Sequence, residues 1–235
     1  MKKKSAFTMI ELVFVIVILG ILSSLAMGRM DRDLEQEAAS SILSHIRLTQ
    51  QLALNDNKHL STGSVNQVDW QKSYWRFQFT NCDFDGDVKA IYSVGSGNRN
   101  TNQGKLKKED TAIDPTNGKY MFATCNENMI GNDVSQQIFV GKHFGVEKME
   151  MKKCTSPQYT GQNFGFDYLG RPHVGISGYK GANGYFNKLA TRDCELIVTM
   201  GTDINNDGEI NDDDNFKIII ESETGHAYIE GQEDS

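Results

Sequence analysis

Proline is scarce in this chain: there are three in 235 residues, the first at Pro115, so no ring interrupts a helix before that point. Charge is scarcer still from Phe7 to Met27, where Glu11 is the only ionisable side chain. Signatures of catalysis are missing. His45, His59, His143, His173 and His226 are scattered, and no HExxH, GxSxG or glycine-rich phosphate loop is present. An enzyme is therefore not expected. The four cysteines form no CxxC pair, which gives zinc and thioredoxin-type redox readings little support. Basic clusters are also few. Beyond the N-terminus only Lys105, Lys107 and Lys108 gather, and they read as a solvated loop. The formal charge is −7, and without Lys2, Lys3 and Lys4 it changes from 24 − 31 to 21 − 31, or −10. No nucleic-acid partner is expected for the bulk of the chain, because counterion release needs clustered cations.

What is present begins with MKKKSAFTMIELVFVIVILGILSSLAMGRM. An apolar run of about 20 residues forms a helix roughly 30 Å long, the thickness of a bilayer's hydrocarbon core. The lysines ahead of it predict a single membrane pass with the rest of the chain exported. Two plain alternatives are a signal anchor and a signal peptide cut after Ser24-Leu25-Ala26. Neither accounts for Glu11, since a carboxylate within a membrane helix costs several kcal/mol unless paired or neutralised. Cutting between Ala6 and Phe7 supplies a partner, because Phe7 then carries a free α-amine one helical turn from Glu11.

Phe7-Thr8-Met9-Ile10-Glu11-Leu12 behind a short basic leader resembles the cleavage and methylation signature of type IV pilins and type II secretion pseudopilins. The resemblance implies cleavage after Ala6 by a prepilin peptidase, N-methylation of Phe7, and docking of Glu11 on a neighbouring subunit. This chain has Ala6 where the family usually has glycine before the cut. It has Gly28 where the family commonly has proline at the twenty-second mature position.

From Asp31 to Asp56 the pattern turns amphipathic: Leu34, Ala38, Ile42 and Ile46 recur every four residues, with Ala39, Leu43 and Ala53 beside them. One helix is predicted from about Thr8 to Leu54, loosened at Gly28, with two separate helices as the alternative. Trp75–Phe79 alternates at period two and reads as a strand, followed by a second over Lys89–Val94. Gly95–Asn117 reads as a long exposed loop. Gln137–Val140, Val146–Met151 and Cys194–Met200 are further strands, and Asn163–Gly184 suits short strands and turns. Phe216–Glu221 and His226–Ile229 form a hairpin around Glu223-Thr224-Gly225. The expected fold is α+β: a long N-terminal helix, half transmembrane and half amphipathic, packed on an antiparallel sheet. The divisions are a leader over 1–6, a transmembrane helix over 7–28, an amphipathic helix over 29–56 and a β-rich domain over 57–235. Residues 42–53, Phe166–Arg171 and Ile218–Gly225 are similar to segments of H-type minor pseudopilins and related minor pilins.

Cys82, Cys125, Cys154 and Cys194, in an exported domain, suggest disulfides with three possible connectivities. Pairing sequence neighbours, Cys82–Cys125 and Cys154–Cys194, is favoured over the others, with free buried thiols as the alternative. Residues 203–214 follow the spacing of a twelve-residue calcium loop. Asp203, Asn205, Asp207 and Asp214 would ligate by side chain, Glu209 by its carbonyl, and Asn211 directly or through water. Asp214 at the last position resembles the loop of dockerins. A strand on each side suggests structural calcium, and a solvated acidic turn is the alternative.

The function expected is that of a minor pilin or pseudopilin in a type II secretion pseudopilus or type IV pilus. Its partners would be other pilins, the prepilin peptidase and an inner-membrane assembly platform. The competing expectation is a calcium-stabilised tip subunit binding a surface, DNA or a secreted substrate through loops at Gly95–Asn117 or Gly175–Tyr185.

Overall fold

The computed structural model describes residues 8–57, 74–84, 86–97, 106–126, 130–155, 161–175, 188–202, 211 and 213–233, apart from the side chains of 24–33. Its spine is α1, Met9–Asn55, a helix of 47 residues that runs unbroken through Gly28. At 1.5 Å per residue it is about 70 Å long. The predicted single helix thus holds to within a residue at each end. The stripe that predicted its buried face is buried: Ala38, Ile42 and Ile46 have no exposed surface, and Ala39, Leu43 and Ala53 pack beside them.

Among the described residues, nine strands form two antiparallel sheets. The first contains β1 (Trp75–Phe84), β2 (Asp87–Ser96), β4 (Asn163–Phe166), β5 (Pro172–Val174) and β6 (Lys188–Leu189), in the order β2-β1-β4-β5-β6. The second contains β3 (Val146–Lys153), β7 (Cys194–Met200), β8 (Asn215–Ile220) and β9 (Ala227–Ile229), in the order β3-β7-β8-β9. The C-terminal half of α1 lies against β1, β2 and β4 of one sheet and β8 and β9 of the other, so one helix face closes both cores. Alternation explains the inner faces. Phe77 and Phe79 are buried from β1, and Phe77 stacks on Tyr92 at 4.5 Å and on its cross-strand partner Phe164 at 5.4 Å.

The sheets are joined by side chains as well as by the helix. Asn81 in β1 donates to the Met149 carbonyl at 3.2 Å and accepts from the Met149 amide at 3.0 Å, imitating a strand partner for β3. Cys82 bonds to Cys125 and Cys154 to Cys194, with sequence separations of 43 and 40 residues.

Two expectations fail. Gln137–Val140 is not a strand: it is a turn leading into the short helix α2, Val140–Phe144. Ile138, Phe139 and Val140 are all buried in succession, which alternation cannot produce, and Gly145 ends the helix in the left-handed region at φ 76°. Gly95–Asn117 is not simply an exposed loop. Leu106, Thr111, Ala112 and Asp114 are buried, and the Ala112 amide extends the β2 pairing by donating to Val94 O at 2.8 Å. Residues 98–105 of that segment lie outside the described residues.

Candidate functional site

The N-terminal half of α1 differs from the rest of the described residues. Met9 is 85% exposed and Phe14 66%, and every large apolar side chain from Met9 to Leu22 lies uncovered. Apolar residues fall on all sides of this stretch, the pattern of a helix that is surrounded by apolar material in its working state. Among the described residues no helix is long and apolar enough to cross a membrane; of the apolar run, side chains are described only from Thr8 to Ser23.

Thr8 caps this helix. Its hydroxyl oxygen accepts from the Glu11 amide at 3.4 Å, while the Thr8 amide donates to Glu11 Oε2 at 3.2 Å. The Thr8 hydroxyl also lies 3.1 Å from the same carboxylate oxygen. Together these bonds form a reciprocal capping box that satisfies two of the amides a helix start leaves unpaired. The Thr-x-x-Glu spacing was readable in the sequence and points to this cap, a role distinct from docking. Ala6 and Phe7 lie outside the described residues.

A second constellation fixes the other end of α1 to the domain. Gln50 donates to the carbonyls of Gly170 at 3.0 Å and Thr224 at 2.9 Å, drawing the β4–β5 and β8–β9 turns onto one helical side chain. Both turns need glycine: Gly170 has φ 82° and Gly225 has φ 69°, and a Cβ on Gly225 would collide with the Gly170 carbonyl oxygen. Asp167 shapes the first turn from a nearly inaccessible position. Its Oδ1 accepts from the amides of Leu169 at 3.0 Å and Arg171 at 2.9 Å. Its Oδ2 accepts from Arg171 Nε at 2.9 Å and faces His173 Nε2 at 3.2 Å. Burial alone would raise the Asp167 carboxyl, but the bonds from His173 and Arg171 outweigh it and hold its pKa at about 2.

Among the described residues His45 is the other buried histidine. Its Nδ1 lies 2.6 Å from the Tyr92 hydroxyl. Burial lowers the His45 pKa, with Asp114 opposing in part, so a neutral ring accepting from Tyr92 suits the site. Asp114 in turn accepts from Ser135 at 2.6 Å and from the Thr116 amide at 2.8 Å. These groups join α1, β2 and the 111–135 segment, and nothing in their spacing along the chain announced it.

Of the calcium-loop residues, Asp203, Asn205, Asp207 and Glu209 lie outside the described residues. Asn211 and Asp214 are described. Asp214 is fully buried, its Oδ2 accepts from the Asn211 amide at 2.9 Å, and its carbonyl accepts from the Met200 amide at 2.8 Å. The described ends of this connection, Met200 and Asp214, are therefore tied to each other. Among the described residues no cluster of three His, Cys, Asp or Glu could hold a metal. Of the basic cluster, Lys108 pairs with Asp133 and Lys107 with Glu109 at 3.8 Å.

An exposed helix start, apolar but for Glu11, on a helix that continues into an antiparallel α+β domain, is the architecture of a subunit held by its N-terminal helix. Residues 1–27 match the family described as the prokaryotic N-terminal methylation motif, so the chain carries the N-terminal signature of type IV pilins and pseudopilins. No curated protein and no solved structure matches the chain.

Proposed function

We propose that this chain is a minor pilin or pseudopilin: a structural subunit stored in the inner membrane by residues 7–28 and assembled into a filament through them. The observation that carries the reading is the coincidence of the methylation motif with the uncovered apolar surface of α1 from Met9 to Leu22. A prepilin peptidase cuts between Ala6 and Phe7 and methylates Phe7. In the filament the apolar surface leaves lipid for the corresponding helices of neighbouring subunits. The Glu11 carboxylate, held by Thr8 in the isolated subunit, then exchanges that cap for the α-amine of a neighbour's Phe7. The domain of β1–β9 faces the periplasm or the cell exterior.

Calcium belongs to the same proposal. Asp203, Asn205, Asp207, Asp214, the Glu209 carbonyl and Asn211 form an all-oxygen donor set, which suits a hard divalent cation. The buried Asp214 carboxylate and the tie between Met200 and Asp214 support a loop whose ends are fixed. The ion's contribution is structural, offsetting repulsion among carboxylates in one connection. A tip subunit that binds a surface, DNA or a secreted substrate is the second form of this reading.

Glu11→Ala tests the assembly role. The variant protein should accumulate in the membrane at normal levels and disappear from sheared or cross-linked filament fractions. Normal incorporation of Glu11→Ala would refute the docking role.

A further inference from the structure

The domain holds a recess whose lining includes no residue of α1. It lies between the β1–β2 hairpin and α2 and encloses about 350 Å³. Ile91 and Phe139 form its buried floor, and the half-buried Phe84 and Ile130 supply its walls. Lys89 and Lys142 line the same recess.

The chain brings these two lysines together by a close backbone approach. Gly141 sits against β2, where an added Cβ would lie 2.6 Å from the Lys89 Cβ and 2.8 Å from the Ala90 amide nitrogen. Only glycine allows α2 to lie this near, and Lys142 follows it directly. The floor is equally fixed. The Tyr92 amide donates to Ile138 O at 3.2 Å, and the Phe139 amide to Gln136 O at 3.1 Å. The Cys82–Cys125 bond ties the segment that leads to Ile130 back to β1.

Apolar walls with a few convergent polar groups, in a volume of roughly 300–1,000 Å³, are the general form of a small-ligand site. The charge narrows the class. On a chain of formal charge −7, two lysines line this recess. Lys89 reaches Asp87 at 2.8 Å in a largely exposed pair of the kind worth little in water, whereas Lys142 makes no ion pair among the described residues.

We infer that the recess between the β1–β2 hairpin and α2 binds a small amphipathic carboxylate, its apolar group against Ile91, Phe139, Phe84 and Ile130 and its carboxylate at Lys142 and Lys89. The inference is independent of the filament reading, because neither Phe7, Glu11 nor any part of α1 takes part.

The test titrates 3-phenylpropionate into the full-length chain in lipid nanodiscs and follows the isoleucine methyl signals by NMR. Saturable shifts are expected at Ile91 and Ile130, with Ile218 and Ile220 of the far sheet unmoved. The neutral isostere 3-phenyl-1-propanol should bind at least about fivefold more weakly, and Lys142→Glu should weaken the acid by at least about tenfold, as replacing one favourable charge contact with a repulsive one requires. Ile130→Trp, which fills the recess from its half-buried wall, should abolish the Ile91 shift while leaving Ile218 and Ile220 in place. No saturable shift in the wild-type chain would overturn the inference. So would equal affinity for acid and alcohol, or unchanged binding in Lys142→Glu.

Discussion

Asp167→Asn is the substitution whose consequences the structure defines most fully. The amide oxygen of asparagine can still accept from the Leu169 and Arg171 amides, so the turn keeps its backbone bonds. The other position becomes an NH2 group facing the donors of Arg171 and His173. Charge-assisted hydrogen bonds contribute about 1.5–3 kcal/mol each, but the Arg171 side chain is 42% exposed and can turn to water. The net cost at pH 7 should therefore be about 1.5–3 kcal/mol, near the value of a single such bond. The pH dependence gives the sharper check. The Asp167 pKa falls from 3.8 to about 2 on folding, so its contribution is fully present above the unfolded value and is lost as pH falls from about 4 to 2. The shift corresponds to at most about 2.4 kcal/mol, and to about 1 kcal/mol once solvent at the half-exposed Arg171 is allowed for. Urea unfolding can follow Trp75, which pairs with Phe166 immediately before Asp167. The difference between wild type and Asp167→Asn should narrow by about 0.7 kcal/mol between pH 5 and pH 2.5, which is still above the folded pKa of about 2. A constant difference across that range, or one below about 0.5 kcal/mol at pH 7, would refute the reasoning.

Gly225→Ala combines a left-handed backbone with a collision against the Gly170 carbonyl, and should destabilise the domain by more than about 2 kcal/mol in the same urea assay. A loss under 1 kcal/mol would mean that the two turns are not held together as described. Asp207→Ala should leave thermal stability unchanged in chelator and lower it only when calcium is present. With calcium at about 100 times its Kd, the lost stabilisation is about 2.7 kcal/mol, and a difference that ignores calcium removes the metal proposal.

Much of the architecture was written in periodicities. The four-residue recurrence of Ala38, Ile42 and Ile46 located the buried face of α1, alternation located β1, and the turn at Glu223-Thr224-Gly225 located the β8–β9 hairpin. Periodicity failed where burial comes from elsewhere. Ile138, Phe139 and Val140 are covered on every side, so they carry neither a helical nor a strand rhythm. Thr111 and Asp114 look like loop residues, yet Asp114 is buried because Ser135, 21 positions away, donates to it. The junction of the two sheets was equally hidden, since it depends on Asn81 meeting Met149 across 68 residues. At the N-terminus the motif was legible as a motif. The capping box of Thr8 and Glu11 was legible too, but the interest of a lone carboxylate in an apolar run drew attention from its ordinary local use. The recess beside Lys142 had no sequence signature, because Gly141 creates it by what it lacks.

The most direct measurement is the N-terminal sequence and mass of the chain purified from the membrane of cells that contain their prepilin peptidase. The account predicts a chain that begins at Phe7 and carries one methyl group on its α-amine. A chain beginning at Met1, or one trimmed after Ala26, would contradict it.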